Sequence, residues 1–263
     1  MTTPVAVVTG ASSGIGRALA KQLDAEGYSL VLCDVNEPGL RETQALLKRG
    51  SQRVTLDVSK RNEVDAMAAE VIARHGRIDL VINNAGVTID ASLAEVSIED
   101  FEWLFGINFW GVVYGTKAFL PLMLAQRDGH IVNMSSVFGL IGGRAQGPYN
   151  ITKFGVRGLT ECLWRELEGT GVKATNVHPG GIKTSIGAKA RWGVNAGTKT
   201  REMHALLDKI LVTPPEDCAR DILRGVARGK RRILTGNGAR AIAFFSRLLP
   251  VRHVPILKAL MGA

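Results

Sequence analysis

Apolar residues follow two alternating rhythms along this chain. Short, strand-length stretches rich in apolar side chains stand at residues 4–9, 28–34, 52–58, 78–83, 130–134 and 173–177. Such stretches fit strands buried on both faces, as in a parallel sheet. Between them lie longer segments with helical spacing. Ala18, Leu19 and Leu23 mark the first, residues 38–50 the second, and Val64, Met67, Ala68 and Val71 the third, over 60–75. Residues 97–127 predict a long helix broken near Pro121. Residues 148–168 predict another, opened by Pro148, whose missing N–H is not needed in a first turn. Strands alternating with helices predict βαβ units, hence an α/β fold with a parallel sheet between two helical layers. No linker, repeat or low-complexity stretch interrupts the pattern.

Polar and glycine residues gather where the predicted strands end, and in open parallel sheets ligands bind outside those ends. Gly10, Ser12, Ser13, Gly14, Ile15 and Gly16 join the first strand to the first helix. Backbone N–H groups and the positive end of a helix there would cradle a phosphate. The spacing is Gly-x-x-x-Gly-x-Gly, unlike the usual dinucleotide fingerprint, so its position between strand and helix carries the argument. Asp34 ends the second strand, 18 residues beyond Gly16. A carboxylate there would accept hydrogen bonds from an adenosine ribose and repel a 2′-phosphate. Val35 and Asn36 follow without a basic residue, so NAD is expected over NADP. The competing role for Asp34 is an N-cap for the helix from Glu37. Asp57 and Val58 end the third strand, and Asn83, Asn84, Ala85 and Gly86 the fourth. Ser135 and Ser136 end the fifth, and Pro179, Gly180, Ile182 and Thr184 follow the sixth.

Tyr149 and Lys153 lie four residues apart, on one face of the helix that Pro148 opens. A phenol with a pKa of about 10 is a poor proton shuttle at neutral pH, and a nearby ammonium would pull it down. Asn108 interrupts an apolar helical setting beside Phe105, Phe109 and Trp110, where an amide needs a partner. It is expected to bend the helix or hold a water. His178, beside a proline, is expected to be structural.

Composition narrows the class. A chain of 263 residues with 46% hydrophobic and 22% charged residues is globular. Cys33, Cys162 and Cys218 have no metal-ligand spacing, so no metal is expected, and their odd number suggests a reducing compartment. Neither a secretory signal nor an apolar run of membrane-spanning length is legible, which points to a cytoplasmic protein. Residues 220–263 hold ten Lys/Arg against the single acid Asp221, which accounts for the whole net charge of +9. Within this end, Ala241, Phe244, Phe245 and Leu248 follow helical spacing, with Arg240 and Arg247 on another side. Pro250 would end that helix, and Pro255 could begin a shorter one. A basic amphipathic helix can pack over a cleft, join subunits or lie on a membrane surface. Nucleic-acid binding is not expected, since aromatic and basic residues form no recognisable module.

Taken together, the motifs resemble the short-chain dehydrogenase/reductase family. Thr9-Gly10-x-x-x-Gly14-x-Gly16 matches its cofactor turn, Asn83-Asn84-Ala85-Gly86 its fourth-strand motif, and Pro179-Gly180 its late loop. Asn108, Ser136, Tyr149 and Lys153 match its catalytic tetrad. Ile151 and Thr152 stand where the family often has Ala-Ser. The resemblance implies a doubly wound Rossmann sheet of about seven strands over residues 1–238, with a variable substrate lid at about 185–213. Residues 239–263 form an extension outside the shared pattern. It implies an NAD-dependent oxidoreductase acting on a secondary alcohol or ketone, with Tyr149 as general acid/base. Lys153 would tune the phenol and bond the nicotinamide ribose, Ser136 polarise the substrate oxygen, and Asn108 hold a relay water. Asp57 would hold the adenine edge, and Ile182 and Thr184 the carboxamide. Ser135 is the serine set aside. Phe138, Gln146, Gly180 and Trp192, with Val137 and Leu140, are expected to line a mainly apolar substrate pocket. The long helices with Trp103 and Trp164 resemble the family's subunit-pairing helices, so a homodimer or homotetramer is expected. The alternative is a catalytically silent protein that senses nucleotide.

Overall fold

The computed structural model describes residues 3–193, 197 and 209–253. Seven parallel strands form one sheet: β1 (Val5–Thr9), β2 (Ser29–Asp34), β3 (Ser51–Thr55), β4 (Leu80–Asn83), β6 (Gly129–Met134), β7 (Val172–Pro179) and β9 (Arg232–Thr235). Their order is β3-β2-β1-β4-β6-β7-β9, so the order reverses at β1, the position where doubly wound sheets open a ligand crevice. A second, small parallel pair joins β5 (Ile89–Asp90) to β8 (Arg191–Trp192).

Burial explains the layers. Every residue of β1 is buried, with alternate side chains entering opposite cores. On one face Val8, Leu32 and Ile82 pack with Leu19 and Leu23 of α1 (Gly14–Ala25) and Ile222 of α7 (Pro215–Ala227). On the other, Val7, Val81 and Ile131 pack with Val71 of α3 (Arg61–His75), Phe119 of α5 (Gly111–Gln126) and Leu163 of α6 (Gly147–Glu166). Two helical layers therefore cover both sheet faces, as the apolar pattern predicted.

Several boundaries differ from expectation. The helix α2 (Glu37–Ala45) stops short of residue 50 because the Lys48 and Arg49 N–H groups turn to the Asp24 carboxylate, at 2.8 and 3.1 Å. Its N-cap is Asn36, whose side chain accepts from Gly39, and not Asp34. The strand β3 ends at Thr55, two residues before Asp57. The segment 97–127 is not broken at Pro121, which sits inside α5 between core residues Phe119 and Met123. The irregularity lies earlier: α4 (Ile98–Phe105) passes into a π-turn at Gly106–Trp110 before α5 begins. That wide turn is centred on Asn108, whose amide is tied to another segment. The pattern did not announce α7 or the edge strand β9. The second has only four residues and alternates buried with half-buried positions.

Beyond β9, α8 (Ala239–Leu248) folds back onto the body. Ala239 and Ile242 are buried against Val137 and Ile141, with Phe138, Leu140 and Phe245 packed alongside. The tail thus packs over the loop after β6. The shorter helix expected from Pro255, and residues 194–196 and 198–208 of the lid expected at 185–213, lie outside the described residues. No helix among the described residues is long and apolar enough to cross a membrane.

Candidate active site

The turn after β1 is shaped by two glycines. Gly10 has φ +67°, and a Cβ there would lie 2.8 Å from Ala85 Cα. A Cβ on Gly16 would lie 2.1 Å from the Gly10 carbonyl oxygen, so only glycine lets α1 sit this close to the turn. Thr9 Oγ1 accepts from the Asn84 and Ala85 N–H groups, each at 3.0 Å, and Asn84 Nδ2 donates to the Thr9 carbonyl at 2.9 Å. These bonds lock the ends of β1 and β4 together. Asn83 points elsewhere: its amide donates to Asn133 and Thr116 in the core. The helix α1 starts at Ser13 with no side-chain cap and no acid in its first turn. Its leading N–H groups therefore have neither the usual cap nor a neutralising carboxylate. Asp34 orders the same corner by accepting from the Ser12 and Asn36 N–H groups, both at 3.0 Å.

At the C-terminal end of β6, Ser136 Oγ accepts from the Phe138 N–H at 3.1 Å, and its hydroxyl acts on the Tyr149 phenol so as to lower the phenol's pKa. The His178 Nδ1–H donates to the Ser136 carbonyl at 2.9 Å. Burial lowers His178 to about 4, so it is neutral at pH 7 and braces the serine backbone, the structural role expected. Ser135 donates to the Lys153 carbonyl at 2.8 Å and so secures α6. Lys153, 4% exposed, donates from Nζ to the Met134 carbonyl at 2.9 Å. Its Nζ lies 5.5 Å from the Tyr149 ring centroid. Phe138 meets the Tyr149 ring edge-on at 6.2 Å.

The electrostatics differ from the sequence expectation. Burial raises the Tyr149 phenol above its ordinary value, and the Ser136 hydroxyl only partly opposes this. Burial also lowers Lys153 to about 8. Desolvation penalises phenolate and ammonium alike, so it outweighs the attraction that the one-turn spacing suggested. At neutral pH the phenol carries its proton and can donate it.

Asn108 is fully buried. Its Oδ1 accepts from the Val87 N–H at 2.8 Å and its Nδ2 donates to the Val87 carbonyl at 2.9 Å. The partner that a mid-helix amide requires is thus a backbone. A Cβ on Gly86 would lie 3.4 Å from Asn108 Oδ1 and 3.5 Å from Lys153 Nζ, so both side chains border that glycine.

Most of these groups line one cleft of about 800 Å³. Of the expected residues, Gly10, Ser12, Ser13, Gly14, Ile15, Asp34, Asp57, Val58, Asn84, Ala85, Gly86, Pro179, Ile182 and Thr184 line it. So do Ser136, Phe138, Gln146, Tyr149 and Lys153. Gly16 and Asn108 lie behind the wall. Gly180 is buried, and its N–H extends the sheet to the Thr235 carbonyl at 2.9 Å. Leu140 packs toward α8. Trp192 is held in the β5–β8 pair, is 42% exposed, and lies outside the cleft lining. Trp103 lies under the Arg191 guanidinium, 3.5 Å away, and Trp164 packs against the core. Gln146 reaches the cleft, but its amide already accepts from Thr88 Oγ1 at 2.9 Å and donates to the Asp90 carboxylate.

Sequence reasoning missed part of the wall. Thr88 and Asp90 enter beside Gln146, and Ile141 and Arg144 come from the loop after Ser136. Ile242 and His253 come from the tail, whereas Ile186, Lys189, Ile210 and Leu211 belong to the lid expected at 185–213. The helical spacing of α8 was visible, but the apolar face expected from Ala241, Phe244, Phe245 and Leu248 is not the one that packs: Ala239, Ile242 and Phe245 turn inward, while Ala241, Phe244 and Leu248 are exposed on the side of Arg240 and Arg247. Among the described residues no cluster of His, Cys, Asp and Glu could hold a metal.

The short chain dehydrogenase family profile matches residues 4–194. SadH of Mycobacterium tuberculosis is 43% identical over 251 residues, covering 93% of this chain and 90% of SadH. A short chain dehydrogenase/reductase from Burkholderia phymatum, solved in complex with NAD, is 32% identical with a TM-score of 0.87, covering 94% of each chain. A metagenomic short-chain oxidoreductase, solved in complex with NADP, is 29% identical with a TM-score of 0.71, covering 86% of this chain and 91% of its own.

Proposed function

Since the chain belongs to the short-chain dehydrogenase/reductase family of nucleotide-binding oxidoreductases, we propose that it interconverts a lipophilic secondary alcohol and its ketone with NAD. The observation that carries this reading is the meeting of Ser136, Tyr149 and Lys153 in the cleft that also holds the uncapped start of α1 and Asp34. The residues fit a dinucleotide. The first turn of α1 would receive the pyrophosphate, and Asp34 the adenosine ribose. Asp57 and Val58 would flank the adenine, while Ile182 and Thr184 would meet the carboxamide end. A bound nicotinamide would supply or accept the hydride. The NAD preference rests on Asp34 and on its surroundings. Val35 and Asn36 follow it, and the nearby Arg17 is engaged by Glu42 at 2.7 Å.

The chain's own residues handle the proton. Ser136 orients the substrate oxygen against the Tyr149 phenol, which donates its proton to a ketone or takes one from an alcohol. Lys153, close to half-protonated near pH 8, can restore that proton. Lys153 Nζ and Asn108 Oδ1 both border Gly86, and a water bridging the two is the relay this reading expects. Phe138, Ile141, Ile186, Ile210, Leu211 and Ile242 make the substrate end apolar, and Arg144 and Lys189 add positive charge. That combination favours an apolar substrate with an acidic end. Trp110, Leu124, Ile151 and Phe154 lie 47, 39, 45 and 41% exposed along α5, its π-turn and α6. They support pairing of subunits through these helices, a reading that a monomer-sized species in sedimentation equilibrium would end.

The test is Tyr149→Phe, assayed with both nucleotides against a panel of alcohols and ketones. Loss of general acid/base catalysis should lower turnover by about 10²–10⁴-fold. Retention of full turnover in a folded variant removes the mechanism, and preference for small polar alcohols removes the substrate class.

A further inference from the structure

The helix α8 presents two unlike faces. Its inner face seats Ala239, Ile242 and Phe245 on the cleft loop. Positions 240, 244, 247 and 248 share the opposite face at helical spacing. Phe244 and Leu248 are each 61% exposed there, between the exposed Arg240 and Arg247. The turn that follows adds Val251, 86% exposed, and Arg252. None of these three arginines has an acidic partner among the described residues, and residues 236–253 contain no acid. Exposed single apolar residues are ordinary, but grouped ones set among unpaired cations are not.

We propose that this outer face of α8, with Val251 and Arg252, is a docking surface for an anionic lipid bilayer. Phe244, Leu248 and Val251 enter the headgroup boundary while the arginines meet lipid phosphates. Charge complementarity selects this occupant. A second copy packed two-fold on the same face would set Arg240 and Arg247 against their own counterparts, with no acid on the helix to offset them. The attachment is peripheral, and the inner face of the same helix keeps its place on the cleft wall through Ile242. For a lipophilic substrate, a point that rests on the function proposed above, docking would bring the cleft to the reservoir in which that substrate dissolves.

Vesicle sedimentation of the full chain tests the surface without recourse to turnover, so its failure and that of the redox reading are separable. The chain should sediment with vesicles containing phosphatidylglycerol, not with phosphatidylcholine alone, and salt should weaken binding. Each arginine replaced by glutamine should lower the partition about fivefold. Arg240→Gln/Arg247→Gln/Arg252→Gln and Phe244→Ser/Leu248→Ser should both release the protein, with circular dichroism and thermal midpoint unchanged. Equal binding to neutral and anionic vesicles, no binding at all, or full binding by either folded variant overturns the proposal. So does a change of oligomeric mass in Phe244→Ser/Leu248→Ser with vesicle binding intact, which would make the face a contact between copies.

Discussion

Lys153→Met should change the pH dependence of stability in a way that isolates one buried charge. In the folded chain burial lowers the Lys153 ammonium from 10.5 to about 8. Between these values the unfolded chain holds more protons than the folded one, so the lysine's contribution to stability rises with pH. Below about 8 both states are charged, and the cost of the buried charge is fully present. The whole shift corresponds to roughly 3 kcal/mol, of which about 2 kcal/mol is recovered between about pH 7 and about pH 9.5. Replacing the side chain also removes the hydrogen bond to the Met134 carbonyl and alters packing. Those losses do not depend on pH, so they cancel in the slope of the difference between wild type and variant. Urea unfolding without nucleotide, followed by tryptophan fluorescence, is the assay. With m near ~2 kcal/mol/M, the wild-type midpoint should gain roughly 1 M on the variant's across that range. A flat difference would mean that Lys153 is not desolvated. A difference falling with pH would mean that its ammonium is held by an attraction absent from the geometry described above.

Two further substitutions probe the cleft. Asp34→Ala removes a carboxylate proposed to receive the adenosine ribose; it should weaken NAD binding roughly 10- to 150-fold, the worth of charge-assisted hydrogen bonds, and raise the NADP-to-NAD ratio of kcat/KM. An unchanged ratio in steady-state kinetics would dissociate Asp34 from nucleotide choice. Asn108→Ala leaves both polar groups of Val87 without their partner and should lower stability by about 2–4 kcal/mol, read as a thermal midpoint and as faster amide exchange at Val87.

The alternation of apolar runs and helical spacing was enough to predict the parallel sheet. Side chains buried on both sheet faces must come in unbroken runs, and short loops force strand ends to one edge. For the same reason Gly10, Asp34 and Ser136 could be grouped in one cleft before any coordinate was known, while Tyr149 joined them through the family resemblance. Spacing alone could not give the environment. A one-turn Tyr–Lys pair looks the same in water and in a core, yet only in the core does desolvation raise the phenol and lower the ammonium. Nor could it tell which element disturbs the helix at Asn108, because Val87 lies 21 residues away and meets it only in the fold. The tail shows the same division. Its two-faced helix is written in residues 239–248, but that Ile242 closes the cleft while Phe244 and Leu248 face outward depends on where α8 lands. Periodicity records which residues share a face; only long-range packing decides what each face meets.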